Sequence, residues 1–278
     1  MDAVLLGLLA GALFGAMTVA VRAGLGRGGD PAVGSVVIAG TALAVALLLA
    51  VPSAAGGVPV AELWPFLAVG FLVPGVSQIV FVLAVRHAGP SRAAILVGTA
   101  PLLSVLLALA LLDEPLRPVL LAGTALVVAG GAALALDRGR PVGFRVLGVV
   151  LALVCAALFA GRDNAVRWAA RDFDPPALQA SAASLLAATA ATLLYVRLLG
   201  RGRSRAGVRR TARAFAPAGA LLGCAYGALV AGFDRGDVGI VAPLNATQSL
   251  WGVLFAALLY ARTEAIGRRT LLAGVLVV

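Results

Sequence analysis

Few residues of this chain can do chemistry, and most of those lie inside long apolar runs. Arg162, Asp163 and Asn164 are consecutive near the end of one such run. An ionisable pair at membrane depth is a functional-site hypothesis by default, and Asp163 is the candidate for coupling transport to a proton. The alternative is a self-neutralising pair that snorkels into lipid headgroups. Uncharged polar residues form a second group. Pro74, Ser77 and Gln78 share a helical face at i, i+3, i+4 spacing, as do Asn245, Gln248 and Gly252 just after Pro243. Trp251 is adjacent, and Tyr226 lies in the middle of another run. Amides in lipid should face the interior of a helix bundle, where they hydrogen-bond a polar substrate or tie helices together. Ser77, Gln78, Tyr226, Asn245, Gln248 and Trp251 are therefore the substrate-contact candidates.

The remaining candidates are structural. Glu114 and Glu264 stand at the ends of apolar runs, and Glu114 precedes Pro115, so helix capping is the expected role. Pro74, Pro101 and Pro243 fall inside runs, where each removes a backbone hydrogen bond and kinks a helix. The single histidine, His87, lies in a polar turn, and Cys155 and Cys224 lie in apolar runs, where packing suffices to explain them. With one His and no Cys/His cluster, no metal site is expected. No nucleophile–base pair stands out, so no catalytic residue and no cofactor are expected. The chain has no lysine and no GxxxxGK[ST] phosphate loop, which excludes ATP use by that route.

The elements that must hold these residues are membrane-spanning helices. Hydrophobic residues make up 62% of the chain and charged residues 12%, with a mean hydropathy of +1.04. Soluble domains carry about 25% charge. Ten apolar runs can be counted, at 3–21, 32–51, 63–85, 93–112, 119–136, 146–166, 177–199, 215–233, 238–261 and 266–278. Most approach the ~20 residues that a helix needs to cross hydrocarbon. The fold class expected is an all-α polytopic membrane protein. The first run follows only Asp2, with no basic leader, and reads as a retained span.

The net charge of +10 comes from arginines placed between the runs, so nucleic acid is not the expected partner. Assigning each arginine to its nearest connection puts 17 on one side and 5 on the other. The positive-inside rule then places the richer side in the cytoplasm and both termini outside. The stretch 201–213 dominates that count and touches anionic lipid as a topology anchor. The all-Arg, Ala-rich usage associates the chain with a GC-rich bacterium, and hence with the inner membrane.

The sequence also repeats itself. At an offset of about 145, Leu13, Phe14, Ala20, Val21, Arg22 and Pro31 recur as Leu158, Phe159, Ala165, Val166, Arg167 and Pro176. Later the offset drifts to about 150, pairing Glu114 with Glu264 and Gly123 with Gly274. Each half holds five runs. An odd number inverts the second half, so ten spans form two inverted five-helix repeats, residues 1–137 and 144–278, with a site between them at the midplane. Small residues at four-residue spacing, Gly7, Gly11 and Gly15, with Gly219, Gly223 and Gly227, form packing seams.

The stretches 14–22 and 100–116, the Gly123…Gly130 pair, 243–250, and Glu264 followed by Gly274 together resemble the EamA family of the drug/metabolite transporter superfamily. The resemblance spans nearly the whole chain. Gln248 stands where the repeat places Pro101, a departure from symmetry. The resemblance implies a secondary transporter, typically an exporter, of amino acids or related small metabolites, coupled to a proton or a counter-substrate. The partners expected are that small molecule and the lipid bilayer. A lipid-type cargo and an intramembrane enzyme are the alternatives.

Overall fold

The computed structural model describes residues 2–88, 96–115, 118–119, 121–126, 129, 146–198 and 205–260. Every element among them is helical. Helix α1 (Ala3–Gly26) turns sharply into α2 (Pro31–Ala54). The turn is set by Asp30, whose Oδ1 accepts from the N–H groups of Ala32 at 2.8 Å and Val33 at 2.9 Å. Pro31 in the first turn has no N–H to satisfy, so cap and proline start the helix together.

The third apolar run is two helices, α3 (Trp64–Gly70) and α4 (Ser77–Ala88), around a wide π-type turn over Phe71–Val76. Val73 there is extended, with φ −140° and ψ 114°, and Pro74 follows it without an N–H for the ladder. Helix α5 (Ala100–Leu111) starts after a turn at Gly98 and Thr99. Three long helices follow: α6 (Val146–Phe173), α7 (Ala177–Leu198) and α8 (Arg205–Arg235). Two short ones, α9 (Val238–Ala246) and α10 (Gln248–Tyr260), meet at Thr247.

Among the described residues, six helices are long and apolar enough to cross a membrane: Ala3–Gly26, Pro31–Ala54, Trp64–Phe81, Val146–Phe173, Ala177–Leu198 and Gly207–Arg235. The other four runs of the sequence differ for identifiable reasons. The run at 93–112 yields a 12-residue helix because the chain turns at Thr99, and the run at 238–261 divides at Thr247. The run at 119–136 is described only in part, and 266–278, with Glu264 and Gly274, lies outside the described residues.

The breaks at Thr99 and Thr247 are built alike. Thr99 Oγ1 donates to the Leu96 carbonyl at 2.7 Å, and Thr247 Oγ1 donates to the Leu244 carbonyl at 2.6 Å. The backbone N–H of each threonine bonds the same carbonyl at 3.2 Å. Each hydroxyl competes for a carbonyl that a continuous helix would give to a residue further on. The two threonines lie 148 residues apart, and at that spacing Pro101 falls opposite Ser249 and Gln248 opposite Ala100. Pro101 itself sits in the first turn of α5, where its missing N–H costs nothing. It starts a helix and does not kink one, contrary to the expectation from sequence.

Packing crosses between the halves. Helix α1 lies against α8, α9 and α10, helix α6 lies against α4 and α5, and α2 lies against α7. The buried surface is mostly alanine, including Ala10, Ala42, Ala152, Ala156 and Ala160, while large apolar residues such as Leu48, Leu111, Leu198 and Leu258 point outward. Lipid provides no hydrophobic drive for helices to associate, so close approach of small residues has to supply the contact. At Gly15 an added Cβ would lie 2.6 Å from Trp251 Cβ and 2.7 Å from the Gly252 nitrogen. At Gly219 it would lie 2.6 Å from Thr41 Cβ. Both glycines are therefore fixed by contact across helices.

Candidate functional site

A cavity of about 160 Å³ lies where the break in the third run, the break before α10 and the middles of α1, α2, α6, α7 and α8 come together. That is more than tenfold the ~10–15 Å³ needed for one water. Ser35, Ser77 and Gln78 enter it from the first half of the chain, and Arg162, Thr192, Tyr226, Asn245 and Gln248 from the second. Apolar walls come from residues such as Phe14, Ile38, Phe159 and Leu222. Broken helices place polar groups at membrane depth because irregular backbone is tolerated there only beside protein or a water-filled space.

Each polar wall has a local reason. Tyr226 is 1% exposed, and its hydroxyl donates to the Val73 carbonyl at 3.1 Å. That carbonyl is released by the wide turn, so the tyrosine satisfies the break while its ring walls the cavity. Ser77 and Gln78 open α4 immediately after the break. Asn245 closes the last turn of α9, and its buried Oδ1 has no hydrogen-bond partner among the described residues.

The ionisable pair is deeper than the sequence suggests. Helix α6 continues to Phe173, seven residues past the expected end, so Arg162 and Asp163 lie within the bundle. Their side chains are 10% and 6% exposed. Asp163 Oδ1 accepts from Arg162 Nε at 2.9 Å and Nη2 at 2.6 Å, and Oδ2 accepts from the Ser104 hydroxyl at 2.8 Å. Asn164 Nδ2 donates to the Ser104 carbonyl at 3.0 Å, which ties α6 to α5 a second time. The pair does not snorkel. A charge pair taken out of solvent this far needs every partner it has.

One end of the bundle, above the cavity, is closed by bonds between distant segments. Glu114 accepts from the N–H groups of Val238 at 2.7 Å and Gly239 at 3.1 Å. It therefore caps α9. A carboxylate there satisfies donors that the helix leaves open and meets the positive end of its dipole. Arg167 Nη1 donates to the carbonyls of Phe233 at 2.8 Å and Asp234 at 3.3 Å, at the C-terminal end of α8. Trp64, Trp168 and Phe173 pack edge to face, with centroids 5.5–6.3 Å apart. Toward the opposite end the cavity reaches Val21, five residues from the end of α1, and Ser35, in the second turn of α2.

Residues 1–136 and 146–278 each match the family described as "EamA-like transporter family". The chain belongs to that family. Its fold is also that of a solved structure described only as "Crystal structure of protein", with a TM-score of 0.79 and 23% identity, covering 99% of this chain and 93% of the other. No match emerges among curated proteins.

In this EamA-like chain, five of the six residues expected to contact substrate share one cavity: Ser77, Gln78, Tyr226, Asn245 and Gln248. Trp251 does not line it. Its ring stacks on Phe255 at 5.8 Å, and its Cβ meets α1 at Gly15. Among the prolines, Pro74 lines the cavity, while Pro243 lies within α9. Arg162, Ser35 and Thr192 also line the cavity, and sequence spacing alone did not bring them there. For Arg162 a signal existed, since buried Ala169 and Ala170 extend the apolar face of α6 beyond Val166. Among the described residues, no group of three or more His, Cys, Asp or Glu could hold a metal ion.

Proposed function

We propose that this EamA-like chain is a secondary exporter of small polar or amphipathic metabolites, such as amino acids, across the bacterial inner membrane. The observation that carries the reading is the cavity at mid-bundle, apolar in most of its wall but lined by polar side chains from both matched regions and placed at helix breaks. Sites between broken helices at the midplane are how transporters expose one binding pocket to either side.

The architecture proposed is ten spans in two inverted halves of five, 1–137 and 144–278. Like-built breaks at Thr99 and Thr247 support it, as does the way α1 and α6 each pack on helices of the other half. Arginine placement supports an outside location for both termini. The cavity then reaches toward the cytoplasm, as it should in an exporter ready to load. Ser77, Gln78, Asn245 and Gln248 contact the cargo. Asp163 couples its movement to a proton or counter-substrate, because it is a carboxylate at membrane depth one residue from the cavity wall.

The test is flux of a radiolabelled metabolite panel in proteoliposomes holding the full chain, with and without a pH gradient. The reading expects at least one metabolite to move faster than through empty vesicles. No movement of any metabolite under either condition would overturn it.

A further inference from the structure

A cleft of about 570 Å³ opens where the end of α1 meets the first turns of α8. Four arginines border it, Arg27 from the residue that ends α1 and Arg209, Arg210 and Arg213 from α8, and all four are exposed. Among the described residues, none of the four hydrogen-bonds or ion-pairs through its side chain. Asp30 lies in a smaller groove that adjoins the cleft at Arg210, where its Oδ1 accepts from the N–H groups of Ala32 and Val33. Four guanidiniums thus face one space whose described lining contains no carboxylate.

Backbone packing fixes the spacing of these cations. Gly24 brings α1 so close to α8 that an added Cβ would lie 3.1 Å from the Ala214 carbonyl and 3.1 Å from the Phe215 ring. Arg27 follows three residues later, where its N–H bonds the Ala23 carbonyl at 3.2 Å and Gly28 turns the chain with φ +73°. On α8, the Thr211 hydroxyl oxygen accepts from the Asp30 N–H at 3.2 Å, and Thr211, Ala214 and Phe215 are buried. The exposed side of the same turns carries Arg209 and Arg213, one turn apart, with Arg210 beside them. Arg210 shares the smaller groove with Gly28, so it stands on the α1 side.

Depth selects the ligand. Arg27 directly follows the membrane-length helix Ala3–Gly26, and Arg209 and Arg210 lie in the first turn of Gly207–Arg235. The cleft is therefore at the level of lipid headgroups, where basic pockets meet phosphates. Leu25 and Val208, 45% and 39% exposed, flank the arginines and give acyl chains an apolar seat that a soluble anion would not use. We infer that this cleft binds the headgroup of a two-phosphate lipid of the cardiolipin class. Arg209 and Arg213 hold one phosphate, and Arg27 and Arg210 hold the other. A guanidinium fork matches phosphate oxygens bidentately, so two forks on each phosphate use all four arginines. Topology requires only the sum of these charges, whereas this site requires their positions. The inference stands apart from the transport reading, since none of the four arginines lines the central cavity.

The experiment takes the full chain in a neutral detergent, stripped of lipid, and titrates it with cardiolipin, with phosphatidylglycerol at equal phosphate, with phosphatidylcholine, and with inorganic pyrophosphate. Thermal unfolding reads the effect, and native mass spectrometry counts the lipid retained. Cardiolipin should raise Tm at a lower phosphate concentration than phosphatidylglycerol, and one cardiolipin should remain bound. In Arg27→Gln/Arg210→Gln the concentration for half the shift should rise roughly tenfold or more, given what charge-assisted bonds contribute. Arg27→Lys/Arg210→Lys keeps the charge but loses the forks, and should fall between the two. Added salt should shrink the shift, because the site is exposed. Exposed substitutions of this kind seldom unfold a protein, and the unfolding scan itself reports whether the variants fold.

Equal shifts from cardiolipin and phosphatidylglycerol at matched phosphate would overturn the site and leave only a diffuse attraction to anionic lipid. An undiminished preference for cardiolipin in Arg27→Gln/Arg210→Gln would overturn it too, by placing the lipid elsewhere. Pyrophosphate acting as well as cardiolipin would assign the cleft to a soluble anion. No shift from any of the four would show the cleft empty of function. Each of these failures leaves the transport reading untouched.

Discussion

The two ends of the bundle combine polar bonds and close packing differently, although the arginine-rich end also has a long-range bond, from the Asp30 N–H to Thr211 Oγ1 at 3.2 Å. At one end, Glu114 caps α9 and Arg167 binds the last carbonyls of α8, while Arg171 donates to the Leu112 carbonyl at 3.3 Å. Segments more than fifty residues apart are joined there by individual polar bonds and an aromatic cluster. At the other end, α1, α2 and α8 meet around the Phe215 ring, which an added Cβ at Gly29 or Gly34 would strike. Arg27, Arg209, Arg210 and Arg213 surround a surface cleft of about 570 Å³ there. Such a contrast lets one end open without unfolding. Polar ties contribute about 0.5–1.5 kcal/mol each. A handful of them sums to the few kcal/mol that separates two conformations in exchange. Close-packed glycine seams do not yield in that way, so α1, α2 and α8 are suited to move as a body.

The largest expected effect comes from the centre that both ends lean on. Asp163→Ala strands the Arg162 guanidinium in the bundle, and breaking such a buried pair costs about 3–5 kcal/mol. Thermal unfolding in detergent should show a marked drop in Tm, and Arg162→Gln/Asp163→Asn should recover part of it. Next is Gly15→Val, which forces α1 away from α10 and costs about 1–3 kcal/mol through overpacking. Reduced yield of folded protein in membranes is the expected result, and an unchanged yield would show that the seam is not tight.

Smaller effects separate the two ends more finely. Glu114→Ala removes the cap on α9 for about 0.5–2 kcal/mol, so the protein should remain folded while its closed end loosens. A cysteine introduced at Ala170 in a Cys155→Ala/Cys224→Ala background should then react faster with a thiol reagent. Unchanged reactivity would mean that Glu114 caps a helix but closes nothing. Gln248→Ala should lower transport and leave membrane abundance unchanged, and equal loss of both would make the residue a packing element.

Much of the class is legible in the amino-acid sequence. Apolar run lengths mark helices at membrane depth, and the 14–22 and 100–116 stretches carry the family resemblance that the match over both regions shows. The clustering of polar residues after Pro74 and Pro243 points to positions that share a cavity. What spacing misses depends on partners far along the chain. Glu114 finds its N–H groups 124 and 125 residues away, a partner that local spacing does not announce. Arg167 is tolerated inside α6 because α8 ends beside it, which lets the helix run past the expected boundary and draws Arg162 inward. Thr99 and Thr247 break helices through a hydroxyl-to-carbonyl bond, and threonine in an Ala/Leu-rich run has no fixed sequence signature for that choice.

Export as proposed depends on one cavity that faces the arginine-rich side while the opposite end is shut. Side-specific labelling tests that arrangement, using a membrane-impermeant maleimide on oriented membranes carrying either Ser35→Cys or Ala170→Cys in the cysteine-free background. Ser35→Cys should label from the arginine-rich, cytoplasmic side, and Ala170→Cys should stay unlabelled from the other. Labelling of Ala170→Cys from outside, with Ser35→Cys protected, would contradict it.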